Sequence, residues 1–403
     1  MRIGFDAKRA VQNRTGLGNY SRFIIRILSE QFADNSYHLF VPKPHRMPYL
    51  SEIPTLKRLF LHFPPKGIWS KMRSIWRVWG MTKDIQAEGI NLFHGLSNEL
   101  PLNIGTPEER KASQGKQRCK YVVTIHDLIF IHTPQYYHWI DRKIYNYKFR
   151  RACQCADRVI AVSEYTKQEI MRYYHTPEDK IDVVYQGCDP VFAQDIDMDK
   201  LDKVKDKYQL PDDFVLYVGS IEERKNLMLI AKAMNLVAKE EEEANTKKST
   251  KLENCIHVVA VGRRTPYVDE VQAYLQQQGI EHLFHFYHQV PYEDLPAFYK
   301  LASSFAYPSR IEGFGIPLLE AITSGIPAIG CTGSCLEEAG GPDSIYVDPD
   351  DEQAMANAIL STCNDEQLRQ KMISRGKDYA QRFSDKLLSQ DLMKVYDKVM
   401  EEA

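Results

Sequence analysis

Two glutamates with seven residues between them stand in the run Tyr307-Pro308-Ser309-Arg310-Ile311-Glu312-Gly313-Phe314-Gly315-Ile316-Pro317-Leu318-Leu319-Glu320. The run follows an apolar stretch of strand character at 303–307 and opens a helix over roughly 316–324. Glu312 and Glu320 therefore bracket a glycine-bearing turn at the carboxyl end of a strand, where open parallel sheets bind ligands. Gly313 and Gly315 let the backbone approach a ligand, and a new helix presents free N–H groups. Carboxylates beside such a turn accept hydrogen bonds from vicinal hydroxyls, while the amides hold phosphate. That combination suits a nucleotide sugar. An ordinary first-turn helix acid would account for Glu320, but it leaves the Gly-x-Gly turn without a purpose.

Three further runs carry candidate chemistry. Val218-Gly219-Ser220-Ile221-Glu222-Glu223-Arg224-Lys225-Asn226 lies at another strand end, ahead of a helix at 227–238. Its adjacent cations, Arg224 and Lys225, can hold a diphosphate and neutralise it as a leaving group; as solvated charges they would carry no chemistry. Asp6 to Tyr20 places Gly16-Leu17-Gly18 ahead of a helix beginning near Asn19. A dinucleotide fingerprint needs a third glycine where Ser21 stands, so Gly16 and Gly18 read as a turn whose amides approach a phosphate or sugar. Thr124-Ile125-His126-Asp127 ends one more strand. His126 is as compatible with a structural histidine as with a functional one, and a place at an interdomain cleft would favour function.

No metal site is expected. Neither Cys153/Cys155 nor Cys331/Cys335 has a second pair or a histidine at zinc spacing. Asp348-Pro349-Asp350-Asp351 reads as a turn followed by a helix cap. The eight cysteines are expected to remain thiols in a reducing compartment.

The elements that must position these residues alternate along the chain. Apolar runs at 2–6, 37–41, 90–93, 121–125, 158–162 and 181–185 fill the first half. Runs at 214–218, 256–261, 282–287, 303–307, 326–330 and 344–347 fill the second. Near-continuous apolar strands separated by helices imply an α/β fold with parallel sheets covered on both faces. About twelve strands are too many for one sheet. A break between Gly187 and Asp213 gives each half a doubly wound core. The charged stretches 105–118 and 239–254 read as solvated insertions.

Composition agrees. The 403 residues are 43% hydrophobic and 26% charged with a net charge of −2, which excludes disorder and whole-chain nucleic-acid binding. No apolar run reaches the ~20 residues of a spanning helix, and MRIGFDAKRA has no signal-peptide layout. A cytoplasmic protein is expected.

Residues 53–83 stand out, with seven Lys or Arg, no acid, and Trp69, Trp76 and Trp79. On one helix, Trp69, Met72, Trp76 and Trp79 would share a face, with Lys71, Ser74 and Arg77 away from it. The favoured reading packs that face on its own domain and leaves the charges solvated. The alternative is peripheral contact with an anionic membrane.

Together these motifs resemble the retaining glycosyltransferases of family 4, in the GT-B superfamily, over essentially the whole chain. Glu312 and Glu320 in EGFGIPLLE, followed by Gly325-Ile326-Pro327, carry the resemblance most specifically. The N-terminal glycines, His126-Asp127, Val162-Ser163-Glu164-Tyr165-Thr166 and Arg224-Lys225-Asn226 support it. The stretch His94-Gly95-Leu96-Ser97-Asn98-Glu99-Leu100-Pro101 looks like the mannosyltransferase-like branch that builds bacterial surface polysaccharides.

The resemblance implies two Rossmann-like domains facing a cleft. An acceptor-side domain would span 1–188, joined by a final helix at about 384–403 that crosses back to it. A donor-binding domain would span 189–383. It also implies roles. Glu312 would accept from donor-sugar hydroxyls, and Phe314, Gly315 and Ile316 would offer backbone contacts to sugar and phosphate. Glu320 would bind the ribose, Lys225 the diphosphate with Arg224 beside it, Gly16 the phosphates, and His126 the sugar near the reacting centre. Many members carry Arg where Ser220 stands, and Arg224 is expected to stand in for it.

The implied reaction transfers a hexose with retention, without metal or cofactor, to a glycan or lipid-linked saccharide. GDP-mannose is the favoured donor, a UDP-hexose the alternative, and a non-catalytic nucleotide-sugar-binding partner protein the second alternative. A nicotinamide oxidoreductase fails on Ser21 and on the missing acid after the 37–41 strand.

Overall fold

A computed structural model describes residues 1–54, 57–112, 119–248 and 256–402, with the side chains of 241–248 left out. The chain forms two compact units, Met1–Gly187 with Phe383–Ala403, and Cys188–Arg382.

In the first unit β1 (Arg2–Asp6), β2 (Ser36–Phe40), β3 (Leu59–His62), β4 (Leu92–Gly95), β5 (Lys120–Ile125), β6 (Arg158–Ala161) and β7 (Ile181–Val183) form one parallel sheet. Its order is β3-β2-β1-β4-β5-β6-β7. In the second unit β8 (Phe214–Val218), β9 (His257–Val261), β10 (Phe284–Tyr287), β11 (Ser304–Tyr307), β12 (Ala328–Cys331) and β13 (Ile345–Val347) stand in the order β10-β9-β8-β11-β12-β13. The order reverses beside β1 and β4 in the first sheet and beside β8 and β11 in the second. Those two points are where doubly wound sheets open a crevice at their carboxyl ends.

The strands are buried on both faces, as the apolar runs require: Tyr121–Ile125 and Phe214–Tyr217 are almost wholly covered. Helix Gly16–Gln31 sets Ile24, Ile27 and Leu28 into the first core. Helix Asp385–Glu401 returns to the same unit and buries Leu388, Leu392, Tyr396 and Val399 at helical spacing. Each such burial contributes about 2 kcal/mol.

Several expectations are corrected. The strand β3 lies inside the basic segment 53–83, where the sequence suggested only a helix. It is a short edge strand, half-covered and exposing Phe60, so its apolar signal is weak. The helix through the tryptophans breaks into Ile68–Lys71, Arg73–Ile75, the wider-wound Trp76–Gly80 and Met81–Ala87. The shared face is lost: Trp76 is wholly buried, its indole N–H donating to Asp84 (2.6 Å), while Trp79 is 48% exposed.

Nor is Arg77 a solvated charge. It is buried with Nε and Nη2 on Asp6 (2.7 and 2.6 Å) and Nη1 on Glu99 (2.8 Å). An arginine can leave water when its donor fork is fully met by carboxylates.

The stretch 105–118 contains helix Pro107–Ala112, whose Arg110 is buried against the carbonyls of Gly105 and Cys155 and the Asp157 carboxylate. Residues 113–118 lie outside the described residues, as do 249–254 of the second charged stretch; 239–248 continue helix Leu227–Lys248. Gly16 and Gly18 stand inside the first turn of helix Gly16–Gln31, three residues before the expected start. Asp351 caps helix Glu352–Asn364, accepting from the Ala354 amide (2.8 Å). No helix among the described residues is long and apolar enough to cross a membrane.

Candidate functional site

The second unit gathers Arg224, Lys225 and Glu312 at the carboxyl ends of β8 and β11. Arg224 and Lys225 close a short turn, Glu223–Lys225, that ends on Asn226 in the left-handed region. Asn226 ties that turn down by donating from Nδ2 to the Pro349 carbonyl (2.8 Å). The Arg310 amide donates to the Arg224 carbonyl (3.0 Å), which joins the cationic loop to the loop after β11.

Four donors then converge on Glu312 Oε1: Lys225 Nζ (2.5 Å), Arg224 Nη1 (2.9 Å), the Ser309 hydroxyl (2.7 Å) and the Tyr307 hydroxyl (3.0 Å). Burial pushes the Glu312 carboxyl up, but Lys225 and Arg224 outweigh it and hold the group at about 2. Burial lowers the Lys225 ammonium, against the pull of Glu312. Arg224 has little left to offer, because it also donates to the Ile311 carbonyl and to Glu222 (2.9 Å).

Glu320 stands apart from that cluster. It lies in helix Ile316–Ser324, which starts from Gly315 at φ 109°. A side chain there would be strained and would press on Leu336. Glu320 receives the Tyr299 hydroxyl (2.8 Å), and no cation pairs with it among the described residues. Burial therefore raises its carboxyl to about 7, with the nearby Asp189 adding to the rise. Phe314 is buried in the core between the two glutamates, and Ile316 begins the helix.

In the first unit His126 follows β5. Its amide donates to Asn98 Oδ1 (2.7 Å) and its Nε2 lies 2.9 Å from the Leu96 carbonyl, so Nε2 carries the proton and Nδ1 is the acceptor. Burial lowers its pKa to about 4, which leaves the ring neutral near pH 7.

The rings of Tyr20 and His126 pack at right angles with centroids 4.5 Å apart. Tyr20 and His94 both bond the Thr124 hydroxyl (3.0 and 2.8 Å), and His94 bonds the Tyr396 hydroxyl (2.6 Å). Tyr20 is one helical turn beyond Gly16, so helix Gly16–Gln31 begins at the same end of the sheet as His126. The two glycines differ. A side chain at Gly18 would collide with the Asn13 carbonyl, whereas one at Gly16 would meet open space.

Two family profiles match the chain, Glycosyltransferase Family 4 over residues 17–192 and Glycosyl transferases group 1 over 199–379. The chain belongs to the family 4 glycosyltransferases of the GT-B fold. Among curated relatives, O-antigen chain mannosyltransferase B of Escherichia coli is 31% identical to this chain over 266 residues. That match covers 65% of this chain and 66% of the relative. O-antigen chain mannosyltransferase RfbU of Salmonella typhimurium is 28% identical over 65% of each chain. The serotype-specific mannosyltransferase WbdA of Escherichia coli is 25% identical over 73% of this chain but only 34% of its own length. The chain thus spans just under two thirds of O-antigen chain mannosyltransferase B and RfbU and a third of WbdA.

Solved structures share its fold. The sucrose-phosphate synthase of Thermosynechococcus elongatus superposes with a TM-score of 0.74 at 17% identity over all of both chains. HepE of Anabaena, solved with UDP and glucose, superposes at 0.69 and 17% identity over 99% of this chain and 100% of HepE.

The motifs did not disclose Tyr307, Ser309, Tyr299, Thr124 or Asn98. Tyr307 and Ser309 sit within the glutamate run itself, so two donors beside Glu312 were open to inspection. Tyr299 comes from helix Leu295–Leu301 and carries no local signal.

Proposed function

We propose that this glycosyltransferase moves a hexose, mannose from GDP-mannose before a UDP-hexose, to a glycan or lipid-linked saccharide in surface polysaccharide biosynthesis. The observation that carries the reading is the meeting of Lys225, Arg224 and Glu312 at the reversal point of the second sheet. The mannosyltransferase relatives support the choice of sugar.

In this reading the Cys188–Arg382 unit takes the donor. All four bonds to Glu312 go to Oε1, so Oε2 is the oxygen offered to the sugar hydroxyls. Lys225 turns its ammonium from Glu312 to the diphosphate and stabilises it as the leaving dianion. Arg224, tied to Glu222, Glu312 and Ile311, holds the loop in shape and adds charge. The amides of Phe314, Gly315 and Ile316 reach sugar and phosphate, and Glu320 accepts from the ribose.

From the first unit, the acceptor side, the Gly16 amide approaches phosphate and the neutral His126 accepts a sugar hydroxyl through Nδ1. Retention follows if the acceptor attacks the face that the diphosphate leaves, with the leaving phosphate oxygen taking the acceptor's proton. The two cations supply the charge that makes added metal unnecessary, and no cofactor takes part. Peripheral membrane contact through 53–83 now rests on the exposed Ile68, Met72 and Trp79.

The test is a melting series of the full chain with GDP-mannose, UDP-glucose, UDP-galactose, UDP-N-acetylglucosamine, GDP, UDP and NAD, in chelator. A ligand that binds only the native state raises the melting temperature. Stabilisation by GDP and GDP-mannose, lost in Lys225→Ala and Glu320→Ala, is expected. A response to UDP-sugars alone moves the donor, and a response to none of the nucleotides overturns the donor site.

A further inference from the structure

We propose that His38, His62 and Glu88 form a zinc-binding site that staples the edge strand β3 to the rest of the first sheet. The three residues come from three elements. His38 belongs to β2, His62 is the last residue of β3, and Glu88 ends helix Met81–Ala87. One ring nitrogen of each histidine and one Glu88 carboxylate oxygen lie within 4.8 Å of one another. Imidazole and carboxylate are donors that zinc accepts at about 2.0–2.2 Å, and water can complete a three-ligand set. Sequence spacing does not announce the site, because its ligands are far apart in the chain.

The packing around the histidines favours an ion. Phe60, His38, His62 and Phe40 stack in one column, with successive ring centroids 5.0, 5.1 and 4.8 Å apart. Two more phenyl rings would fill the middle of that column without burying polar atoms. Two imidazoles stand there instead, nitrogen to nitrogen, with His38 Nδ1 2.8 Å from His62 Nε2. Without a metal, one proton serves both nitrogens. A zinc ion takes that proton's place, and the rings part by about half an ångström to reach tetrahedral spacing.

The surrounding groups suit the exchange. His38 is 2% exposed, and its Nε2 lies 3.2 Å from the Ser36 hydroxyl, which can accept the ring proton and leave Nδ1 to the metal. Glu88 Oε1 is 3.6 Å from His62 Nδ1. Its carboxylate is 42% exposed and 3.7 Å from Arg2, a loose pairing that lets it turn onto the ion. Asp84, one helical turn earlier, adds negative charge near His62 while accepting the Trp76 indole N–H. Burial lowers both imidazoles, His38 to about 4, so near neutral pH each ring keeps the lone pair a metal needs.

The strand stands to gain, since β3 is an edge strand that leaves Phe60 exposed. An ion held by β2, β3 and the helix end would close the chain across 38–88. The site shares no residue with the Lys225, Arg224 and Glu312 cluster, so its role is structural. The inference stands apart from the transferase reading and is tested with zinc alone.

The test is calorimetric titration of the full chain with zinc chloride, after metal has been stripped by chelator and the chelator removed. One zinc per chain is expected at a Kd of about 1 μM or tighter, with a raised melting temperature. His62→Phe keeps the ring column and should lose that zinc. Glu88→Gln, at a half-exposed position, should weaken it at least about tenfold. Both variants should melt as cooperatively as the wild type in chelator. His257→Phe, which breaks the histidine contact between β9 and β10 (3.1 Å), should bind as the wild type does.

Three results overturn the proposal. One is the absence of a zinc equivalent of that strength. The second is an equivalent that survives His62→Phe and Glu88→Gln unchanged, or that disappears in His257→Phe, since the ion then sits elsewhere. The third is zinc binding that leaves the melting temperature where it was, which removes the staple.

Discussion

Glu312 and Glu320 are the same residue type in one short run, yet the molecule treats them oppositely. Glu312, in the turn before helix Ile316–Ser324, is met by two cations and two hydroxyls and held at about 2. Glu320, inside the helix, has one tyrosine hydroxyl and no cation among the described residues, and its carboxyl rises to about 7. The first is an anion whose Oε1 is taken up by Lys225, Arg224 and two hydroxyls. The second is a carboxylate short of donors, and a vicinal diol would supply the two it lacks. Spacing alone does not distinguish an anion that organises a site from one that waits for a ligand; the surrounding donors do.

The strongest way to break that contrast is at Lys225. Replacing it with Ala removes one of the two cations on Glu312 and, in the proposed reading, the diphosphate contact. Turnover of the preferred donor should fall about 10² to 10³-fold, and nucleotide-dependent stabilisation should vanish. Lys225→Arg keeps the charge but not the compact ammonium, and should recover part of the binding and little of the turnover. Full activity in Lys225→Ala, measured by transfer of labelled sugar, would show that Glu312 organises nothing catalytic.

The next effect is on pH. Glu312 is depressed, so the stability it contributes is complete above its ordinary 4.5 and is lost as pH falls toward 2. Glu320 is raised, so its contribution is complete below 4.5 and is lost as pH rises through about 7. At 1.36 kcal/mol per unit, Glu320 takes about 3 kcal/mol from the native state across that window. Glu320→Gln removes this loss. Its stability relative to the wild type should improve between pH 5 and pH 8, read from urea midpoints at each pH. A difference that does not change with pH would mean Glu320 is already ionised through hydration, and the contrast would collapse.

Much of this was legible in the residues. Continuous apolar runs at 121–125 and 214–218 announced buried parallel strands because both faces of each strand are covered. The glycine turn and the adjacent cations located the second unit's cluster because ligand sites in such sheets fall at strand ends. Arg77 and Arg110 were illegible. Each looked like a surface charge among charges, and only Asp6, Glu99 and Asp157, distant in sequence, make their burial possible. The break at Met72 escaped for a related reason. A helical pattern states which residues share a side, but not whether the rest of the fold covers it.

A smaller effect sharpens the contrast from the donor side. Removing the Ser309 hydroxyl or the Tyr307 hydroxyl takes one of four bonds from Glu312, and Lys225 and Arg224 remain to compensate. Each of Ser309→Ala and Tyr307→Phe should cost about 1.5 kcal/mol of stability, measured by urea denaturation at neutral pH.

Tyr299→Phe should cost less, about 1 kcal/mol at the same pH, yet it is the more telling change. Its hydroxyl is the one donor on Glu320 among the described residues, and by favouring the ionised form it holds that carboxyl down. Without it Glu320 stays protonated to higher pH, and a protonated carboxyl accepts less well from a ribose diol. Nucleotide affinity, titrated by calorimetry from pH 6 to pH 9, should therefore weaken most at the acid end and approach the wild type at the alkaline end. Glu320→Gln, which cannot ionise, should show no such recovery. A uniform loss across the range would make Tyr299 a packing residue, and Glu320 would no longer be the carboxylate whose charge the ligand completes.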